Sequence, residues 1–301
     1  MPEDAPSPPM LGVIGGSGIY DIEEIENARW EWVETPFGAP SDRILVGDLA
    51  GLPVAFLPRH GRGHPLPPNG VNYRANIDAL KRLGVTDILS LSAVGSLRED
   101  LPPGAFVVTD QFIDRTIQRE KSFFGAGLVA HVSMAEPVCN RLGDLVERVA
   151  REEGLRVHRG GTYLAMEGPQ FSSRAESELY RSWGCDVVGM TNMPEAKLAR
   201  EAELCYATVA MVTDFDCWHP DHGNVEVEDV IRVLQANASK ARTLVTALAE
   251  SFDHRPVPCG QGCDRVLDTA LITMPEARDA ETVRRLDAVA GRVLTTDTEE
   301  T

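Results

Sequence analysis

Two aspartates, Asp214 and Asp216, follow an apolar run that the sequence predicts as a strand over residues 208–213. Two carboxyl groups at positions i and i+2 crowd one site when a strand ends there. Burial and the charge of a neighbour both raise the pKa of a carboxyl group. We therefore interpret this pair as a place for a proton donor, whereas the alternative is a solvated turn in which one aspartate is a cap.

A basic cluster, Arg59-His60-Gly-Arg-Gly-His64, follows another predicted strand over residues 54–57. The guanidinium fork of arginine suits the oxygens of a phosphate, and a histidine adds a further donor. The glycines let a ligand approach the backbone closely. In a chain whose formal net charge is -17, this cluster indicates an anion site. The alternative is a solvated basic loop.

Small and hydroxyl residues follow three more of the predicted strands. Because ligands of open α/β sheets bind outside the carboxyl ends of the strands, we expect these residues to converge with Arg59. Their hydroxyl and backbone N–H donors predict a phosphate cradle without a metal ion. The glycine spacing fits neither the dinucleotide fingerprint nor a Walker loop. The segments are Gly15-Gly-Ser17-Gly, Ser92-Ala93-Val-Gly-Ser, and Thr191.

The elements that must position these residues follow from the hydrophobic pattern. Short runs of Val, Ile, Leu and Phe alternate with stretches of helical period, which is typical of a sheet between layers of helices, so we assign the α/β class. The predicted strands are 11–14, 54–57, 88–91, 106–109, 163–166, 187–190 and 208–213. The predicted helices are 72–83, 137–153, 173–183, 194–203 and 227–252.

The chain of 301 residues can form one or two domains, and we predict one. The predicted domain covers residues 11–252. It follows a proline-rich extension, residues 1–10, that we expect to be disordered. Residues 253–301 form a tail with a predicted helix over 280–294 and a polar, disordered end.

Charge and hydropathy narrow the class of partner. A net charge of -17 argues against binding to nucleic acid or to an anionic membrane. The first residues lack a secretion signal, and no apolar run reaches the ~18 residues that a membrane helix needs. We therefore expect a cytoplasmic protein with small-molecule partners.

Six cysteines are too few for a disulfide scaffold in a chain of this length, so buried reduced thiols are expected. Cys259 and Cys263 bracket Gly-Gln-Gly, where a tight disulfide is an alternative. This pair supplies only half of the usual ligands of a zinc site, and the sequence therefore predicts no metal. The other cysteines are Cys139, Cys185, Cys205 and Cys217.

Seven segments between about residues 11 and 252 resemble, in order and at normal separations, the 5'-methylthioadenosine phosphorylases of the purine nucleoside phosphorylase superfamily. They are Val13-Ile-Gly-Gly-Ser-Gly-Ile19, Pro58-Arg-His-Gly61, Val71-Asn-Tyr-Arg-Ala-Asn-Ile77, Asp110-Gln-Phe-Ile-Asp-Arg-Thr116, Glu167-Gly-Pro-Gln-Phe-Ser-Ser-Arg174, Gly189-Met-Thr-Asn-Met-Pro-Glu195 and Thr213-Asp-Phe-Asp-Cys-Trp218.

The resemblance implies a three-layer fold with a mixed central β-sheet flanked by helices. It implies phosphorolysis of S-methyl-5'-thioadenosine to adenine and 5-methylthio-α-D-ribose 1-phosphate, a step of methionine and purine salvage. Inorganic phosphate would be the co-substrate, with no cofactor. It also implies a homotrimer or hexamer whose active sites lie at subunit interfaces.

The resemblance also implies roles for individual residues. Asp214 would protonate the purine at N7, and Asp216 would help to hold the 6-amino group. The ribose would lie against Met190. The phosphate would be held by Ser17, Arg59, His60, Ser92, Ala93 and Thr191. The purine would be lined by Phe171 and Ser172, and the 5' substituent by Val227 and by His131 of a neighbouring subunit, with Leu271 as a further candidate.

Two positions bear on specificity. Relatives that prefer 6-oxopurines carry Glu after the Phe matched by Phe171, and Asn at the position of Asp214. Ser172 and Asp214 therefore favour a 6-aminopurine, because a carboxylate accepts from an amino group and would face the lone pairs of a 6-oxo oxygen. An apolar Val227 favours a methylthio group over a hydroxyl that would lose its water.

Four alternatives remain at this stage. The nearest is a 6-oxopurine nucleoside phosphorylase. A hydrolytic nucleosidase on the same fold is disfavoured by the Arg59-His60 cluster. A nucleotide-binding or sensing module would bind the nucleoside without consuming it. A dinucleotide-dependent oxidoreductase is disfavoured by the glycine spacing.

Overall fold

The computed structural model describes residues 9–16, 19, 22–220, 227–252 and 259–294, except for the side chains of residues 227–230. Ser17 and the side chain of Val227, two of the predicted site residues, lie outside the described part, as do most of the predicted extension and the polar end.

The described strands form one mixed sheet. They are β1 Leu11–Gly15, β2 Glu26–Glu31, β3 Ile44–Leu49, β4 Leu52–Pro58, β5 Asp87–Ser96, β6 Phe106–Thr109, β7 Gln111–Asp114, β8 Val157–Arg159, β9 Thr162–Ala165, β10 Val187–Gly189 and β11 Cys205–Asp214. The helices are α1 Tyr73–Arg82, α2 Asn140–Glu152, α3 Arg174–Ser182, α4 Asn192–Glu201, α5 Val227–Glu250, α6 Ala280–Arg285 and α7 Asp287–Leu294.

Strand direction explains where a site can form. β1 pairs in parallel with both β4 and β5, and β5 pairs in parallel with β11, so the carboxyl ends of these four strands share one edge of the sheet. β10 pairs antiparallel to β5, and β6 pairs antiparallel to β11. The α/β class and the mixed sheet expected from the sequence are confirmed.

The sheet separates two apolar layers. In β11, Cys205, Ala207 and Val209 face one layer, while Tyr206 and Ala210 face the other, because successive side chains of a strand point to opposite faces. The first layer includes Leu142 and Val146 of α2 and Leu244 and Leu248 of α5. The second layer includes Ile77 and Leu80 of α1, Leu198 of α4 and Val289 of α7.

β5 is longer than predicted. The sequence predicts that this strand ends at residue 91, followed by a loop, but β5 continues to Ser96. It stays paired with β11 until Gly95 faces Asp214, and its last two residues pair with β10. Ser92 and Ala93 are therefore strand residues.

The predicted helices are present, and polar side chains cap the first turns of α1 and α3. Ser173 accepts from the backbone N–H of Glu176, which bonds back to Ser173 and completes a capping box at α3. Asn72 accepts from Ala75 N–H at the start of α1. The predicted helix 280–294 is two helices, α6 and α7, separated at Leu286, whose side chain is buried.

The tail is packed into the body. Its apolar side chains belong to the same two layers as the sheet, and Leu271 forms a bridge with Ala130. Within the described residues, no helix is both long enough and apolar enough to cross a membrane. The buried tail residues include Cys259, Cys263, Leu267, Ala270, Leu286, Val289 and Ala290.

Candidate active site

Arg59 follows β4 and is only 2% exposed. Its Nε donates to Oε2 of Glu195 at 2.8 Å, its Nη2 donates to Oε1 at 3.1 Å, and its Nη1 donates to the carbonyl of Leu91 at 2.9 Å. Burial lowers the pKa of Arg59, but the charge of Glu195 outweighs this effect and keeps the arginine charged. The cradle is thus built on a buried ion pair.

Glu195 organises this half of the site. Its Oε1 also accepts from the hydroxyls of Ser90, at 2.6 Å, and Tyr206, at 2.9 Å. These contacts fix the plane of the Arg59 guanidinium. Among the described residues, Nη1 of Arg59 donates to Leu91 alone, which leaves one of its two N–H groups for an anion.

Two predicted hydroxyl donors lie close to this arginine. The Ser92 hydroxyl donates to Oδ1 of Asn192 at 2.9 Å, and Thr191 precedes α4 and is buried. The hydroxyl of Tyr163 lies beside both Ser92 and Thr191. The structure therefore brings Arg59, Ser92 and Thr191 to one place, with Ala93 next in β5.

His60 is neutral at physiological pH. Burial is the main cause that lowers the pKa of His60 to about 4, and the charge of Arg59 lowers it further. Its Nδ1 lies 2.8 Å from the carbonyl of Leu66, and a carbonyl only accepts, so Nδ1 carries the proton. Nε2 is then an acceptor, suited to the O–H of a monoprotonated phosphate.

Asp214 ends β11 and is nearly buried. Its Oδ1 accepts from the backbone N–H of Asp216 at 2.7 Å, and its Oδ2 lies 2.7 Å from the Thr213 hydroxyl, which is also 3.1 Å from the carbonyl of Val94. The Thr213 hydroxyl donates to Oδ2 and also lies within reach of the Val94 carbonyl. Burial, assisted by the charge of Asp216, raises the pKa of Asp214, although the hydrogen bonds from Thr213 and from the backbone N–H of Asp216 lower it. Asp214 therefore keeps its proton to higher pH than an exposed aspartate does.

The close approach of Asp214 requires a glycine opposite it. A Cβ at Gly95 would lie 2.9 Å from Oδ1 of Asp214 and 3.2 Å from Cβ of Asp216. Asp216 is itself buried, and its Oδ2 accepts no hydrogen bond from the described residues. Burial raises the pKa of Asp216 as well. Two carboxyl groups thus share one desolvated corner.

The predicted purine-side residues meet at this corner. Ser172 lies next to Asp216, and its carbonyl accepts from the thiol of Cys217. Phe171, the residue before Ser172, is 45% exposed. Met190 follows β10, and a Cβ at Gly168 would lie 2.5 Å from its sulfur, so Met190 packs directly on that glycine.

Sequence reasoning missed Arg119, Glu195 and Tyr163. Nη1 of Arg119 donates to the carbonyls of Met190, at 2.6 Å, and Met193, at 2.7 Å, while its Nη2 donates to the carbonyl of Glu167 at 2.7 Å. Arg119 therefore ties together two loops of the site. Its partners, which include the hydroxyl of Tyr73, are 46 to 74 residues away in the chain, and no local pattern reveals them.

His131 lies apart from these residues. It lines a separate cavity of about 410 Å³ that includes Lys197 and Glu201. The tail runs beside it, because the backbone N–H of His131 donates to the carbonyl of Ala270, next to Leu271. Within one subunit the described structure does not bring His131 to Asp214.

Glu201 in this cavity is expected to make stability depend on pH. Burial raises its pKa from 4.5 to about 7, against hydrogen bonds from Phe123 and Ser122. Between these values the folded state holds a proton that the unfolded chain has lost, so the free energy of unfolding should fall as pH rises from 4.5 to 7. The loss should be roughly 2–3 kcal/mol. Urea unfolding across this range should show a shallower pH dependence for Glu201→Gln; equal slopes would contradict the assignment.

The two halves of the site are joined by β5. Ser92 lies at the oxyanion half and Gly95 at the carboxyl half, three residues or about 10 Å along the strand. The fold and the site define an α/β protein that places a buried arginine and two largely buried carboxyl groups at the same strand ends.

A family model described as the phosphorylase superfamily matches residues 10–250. The chain belongs to that superfamily, and within it to the S-methyl-5'-thioadenosine phosphorylase family.

Relatives and solved structures agree with this placement. An S-methyl-5'-thioadenosine phosphorylase of Rhodospirillum rubrum is 68% identical over 286 residues, which cover 95% of this chain and 97% of the relative. A relative of the same name from Geobacter sulfurreducens is 52% identical, with 94% and 98% covered.

A crystal structure of a methylthioadenosine phosphorylase from an antarctic soil metagenomic library superposes with a TM-score of 0.87 at 49% identity, covering 93% of this chain and 98% of that one. A mutant of the adenosine/methylthioadenosine phosphorylase from Schistosoma mansoni, in complex with methylthioadenosine, gives a TM-score of 0.77 at 39% identity, with 81% and 91% covered.

Proposed function

We propose that the protein splits S-methyl-5'-thioadenosine with inorganic phosphate and releases adenine and 5-methylthio-α-D-ribose 1-phosphate. The observation that supports this most is the position of Arg59 and Asp214 at the two ends of one stretch of β5: Nη1 of Arg59 bonds Leu91, and Asp214 faces Gly95. The names of the similar proteins support the choice of nucleoside.

In the proposed reaction the bond between C1' of the ribose and N9 of adenine breaks, and its electron pair goes to the purine. The proton on Asp214 moves to N7, which neutralises the leaving group. A phosphate oxygen forms the new bond to C1' from the other side. The rate acceleration then comes from the positioning of the two substrates and from the fixed electrostatics of the buried site.

The phosphate is proposed to lie between Arg59, His60, Ser92, Ala93 and Thr191, with Ser17 as a further donor. The Nη1 N–H group of Arg59 that has no acceptor among the described residues donates to it, and Nε2 of His60 accepts from its O–H group. Because His60 is neutral, this arrangement favours a phosphate that carries a proton. The chain needs no cofactor for this chemistry.

Adenine is proposed to lie beside Ser172 and Phe171, and the ribose against Met190. Oδ2 of Asp216, which has no hydrogen-bond partner among the described residues, is an acceptor for the 6-amino group. A 6-oxo oxygen would meet this carboxyl group with its own lone pairs, so a 6-oxopurine nucleoside phosphorylase is disfavoured. The 5' methylthio group would then approach Val227.

The resemblance to this family also suggests an assembly and a location. We propose a homotrimer, or a hexamer built from trimers, in which His131 and Leu271 of one subunit border the 5' end of the nucleoside in the next. The described residues that line the cavity of His131 do not include Asp214, which supports this arrangement. We also propose that the enzyme is cytoplasmic.

Adenine release with and without phosphate tests the function. With phosphate, methylthioadenosine should yield adenine and the sugar 1-phosphate in equal amounts, while inosine should be consumed at least ~10²-fold more slowly. Without phosphate, adenine release should stop. Adenine formed in phosphate-free buffer would indicate a hydrolase, and faster use of inosine would contradict the purine assignment.

A further inference from the structure

Four of the six cysteines meet at one buried point away from the candidate active site. Their sulfur atoms all lie within 4.8 Å of one another, and none of the four is in a disulfide. The residues come from three separate parts of the chain: Cys139 before α2, Cys205 at the start of β11, and Cys259 with Cys263 in the tail. All four are at most 3% exposed.

The spacing of the sulfurs fits a metal ion. A Zn–S bond of ~2.3 Å in a tetrahedron places the sulfurs about 3.8 Å apart. Sγ of Cys139 lies 3.9 Å from Sγ of Cys259. A disulfide would need a separation of about 2 Å. The four thiols are thus arranged around a centre.

The charges around the cluster favour thiolates. Nη1 of Arg200 lies 3.5 Å from Sγ of Cys263, and Arg200 is itself buried. Arg141 lies beside Cys205, and its buried Nε has no acceptor among the described residues. Four thiolates around a divalent ion carry a net charge of -2. The charge of Arg200 offsets part of it, and Arg141 contributes while also pairing with the buried Asp87. Cys139 also occupies the N-cap position of α2, where the helix dipole favours negative charge.

The tail is shaped to present its two cysteines. Gly262 has φ of +70°, which turns the chain between Cys259 and Cys263. Gln261 fixes this turn on the body, because its Oε1 accepts from the backbone N–H of Asn140 at 2.6 Å and its Nε2 donates to the carbonyl of Val138 at 3.1 Å. Both contacts flank Cys139.

We propose that Cys139, Cys205, Cys259 and Cys263 bind one Zn²⁺ in a closed, structural tetrathiolate site. The expectation of no metal, drawn from the sequence, counted only the Cys259–Cys263 pair; the fold supplies the other two ligands. Binding releases the thiol protons to solvent and attaches the tail to the sheet and to α2. Because the tail also carries Leu271, the ion would hold that segment beside His131.

Metal analysis of untagged protein, expressed with zinc and purified under reducing conditions, tests this site. Mass spectrometry of the dissolved metal should find one zinc per chain. Replacement by Co²⁺ should give the intense visible bands of tetrahedral tetrathiolate cobalt, whatever the catalytic activity. Chain without zinc, or cobalt bound without these bands, would overturn the proposal.

Matched variants locate the ligands. Cys259→Ser should lower the bound zinc at least about tenfold. Cys185→Ser, which changes a buried cysteine outside the cluster, should leave one zinc per chain. If Cys259→Ser does not fold, the cobalt spectrum of the unchanged protein still tests whether four thiolates bind the ion. Peptide mapping without reductant that finds a bond between any two of the four cysteines in the native protein would favour disulfides and end the proposal.

Discussion

Replacing Asp214 by Asn is expected to lower kcat for adenine release by roughly 10²- to 10⁴-fold, with a much smaller change in KM. The asparagine keeps the size of the side chain and can still bond N7, but it has no proton to transfer. The adenine anion would then leave without being neutralised. The effect should therefore fall on the chemical step.

Initial rates at several concentrations of methylthioadenosine, with phosphate saturating, measure this effect. Asp144→Asn is the matched control, because Asp144 is exposed on α2 and pairs only with Arg159 among the described residues. Its kcat should equal that of the unchanged protein. An Asp214→Asn variant that retains kcat would defeat the assignment of the proton donor.

The pH profile gives the same assignment a second test. Burial raises the pKa of Asp214, so the carboxyl keeps its proton to higher pH than an exposed aspartate does. The proton-donating form is present below this raised pKa and is lost as pH rises through it, so kcat should fall along that limb. Asp214→Asn should lack the limb.

Replacing Glu195 by Ala is expected to lower the free energy of unfolding by about 3–5 kcal/mol. The Arg59 guanidinium would stay buried without a counter-charge, and the hydroxyls of Ser90 and Tyr206 would lose their acceptor. Unfolding in urea, followed by fluorescence, measures the loss.

Glu152→Ala is the matched control for this prediction. Glu152 pairs with Arg148 on the surface of α2, with both side chains at least half exposed, and such pairs contribute less than about 1 kcal/mol. Glu195→Gln keeps an acceptor oxygen without the charge. Its loss of free energy of unfolding should lie between those of Glu195→Ala and Glu152→Ala. If Glu195→Ala lowers the free energy of unfolding by no more than Glu152→Ala does, the buried pair of Arg59 and Glu195 does not stabilise the phosphate site.

The sequence predicts most of the buried strands, but it misses β3, Ile44–Leu49, although nearly all of its residues are buried. β6 begins and ends as predicted at Phe106 and Thr109, because its four residues are all buried. β2 was missed, since Glu26–Glu31 is a polar, mostly exposed strand that pairs only with β3. An edge strand with few buried side chains carries almost no hydrophobic signal.

The site was predictable in part for the same reason. Ligands of open α/β sheets bind outside the carboxyl ends of the strands, and this rule predicts the residues that lie at or just after those ends. They are Arg59, Thr191 and Asp214. Glu195 and Arg119 act through partners that are distant in the chain, which only the fold brings near. The cysteine cluster is the clearest case, since Cys139 and Cys259 are 120 residues apart.

The unbroken strand β5, ten residues from Asp87 to Ser96, sets the spacing of the two halves of the site. Its backbone rise, rather than any side-chain rotamer, sets the span between the oxyanion and the acid. Inserting one residue between Ser92 and Gly95 would stretch that span by about 3.3 Å and turn the following side chains to the wrong face. The stretch from Ser92 to Gly95 therefore cannot be lengthened or shortened without losing the fit to a nucleoside.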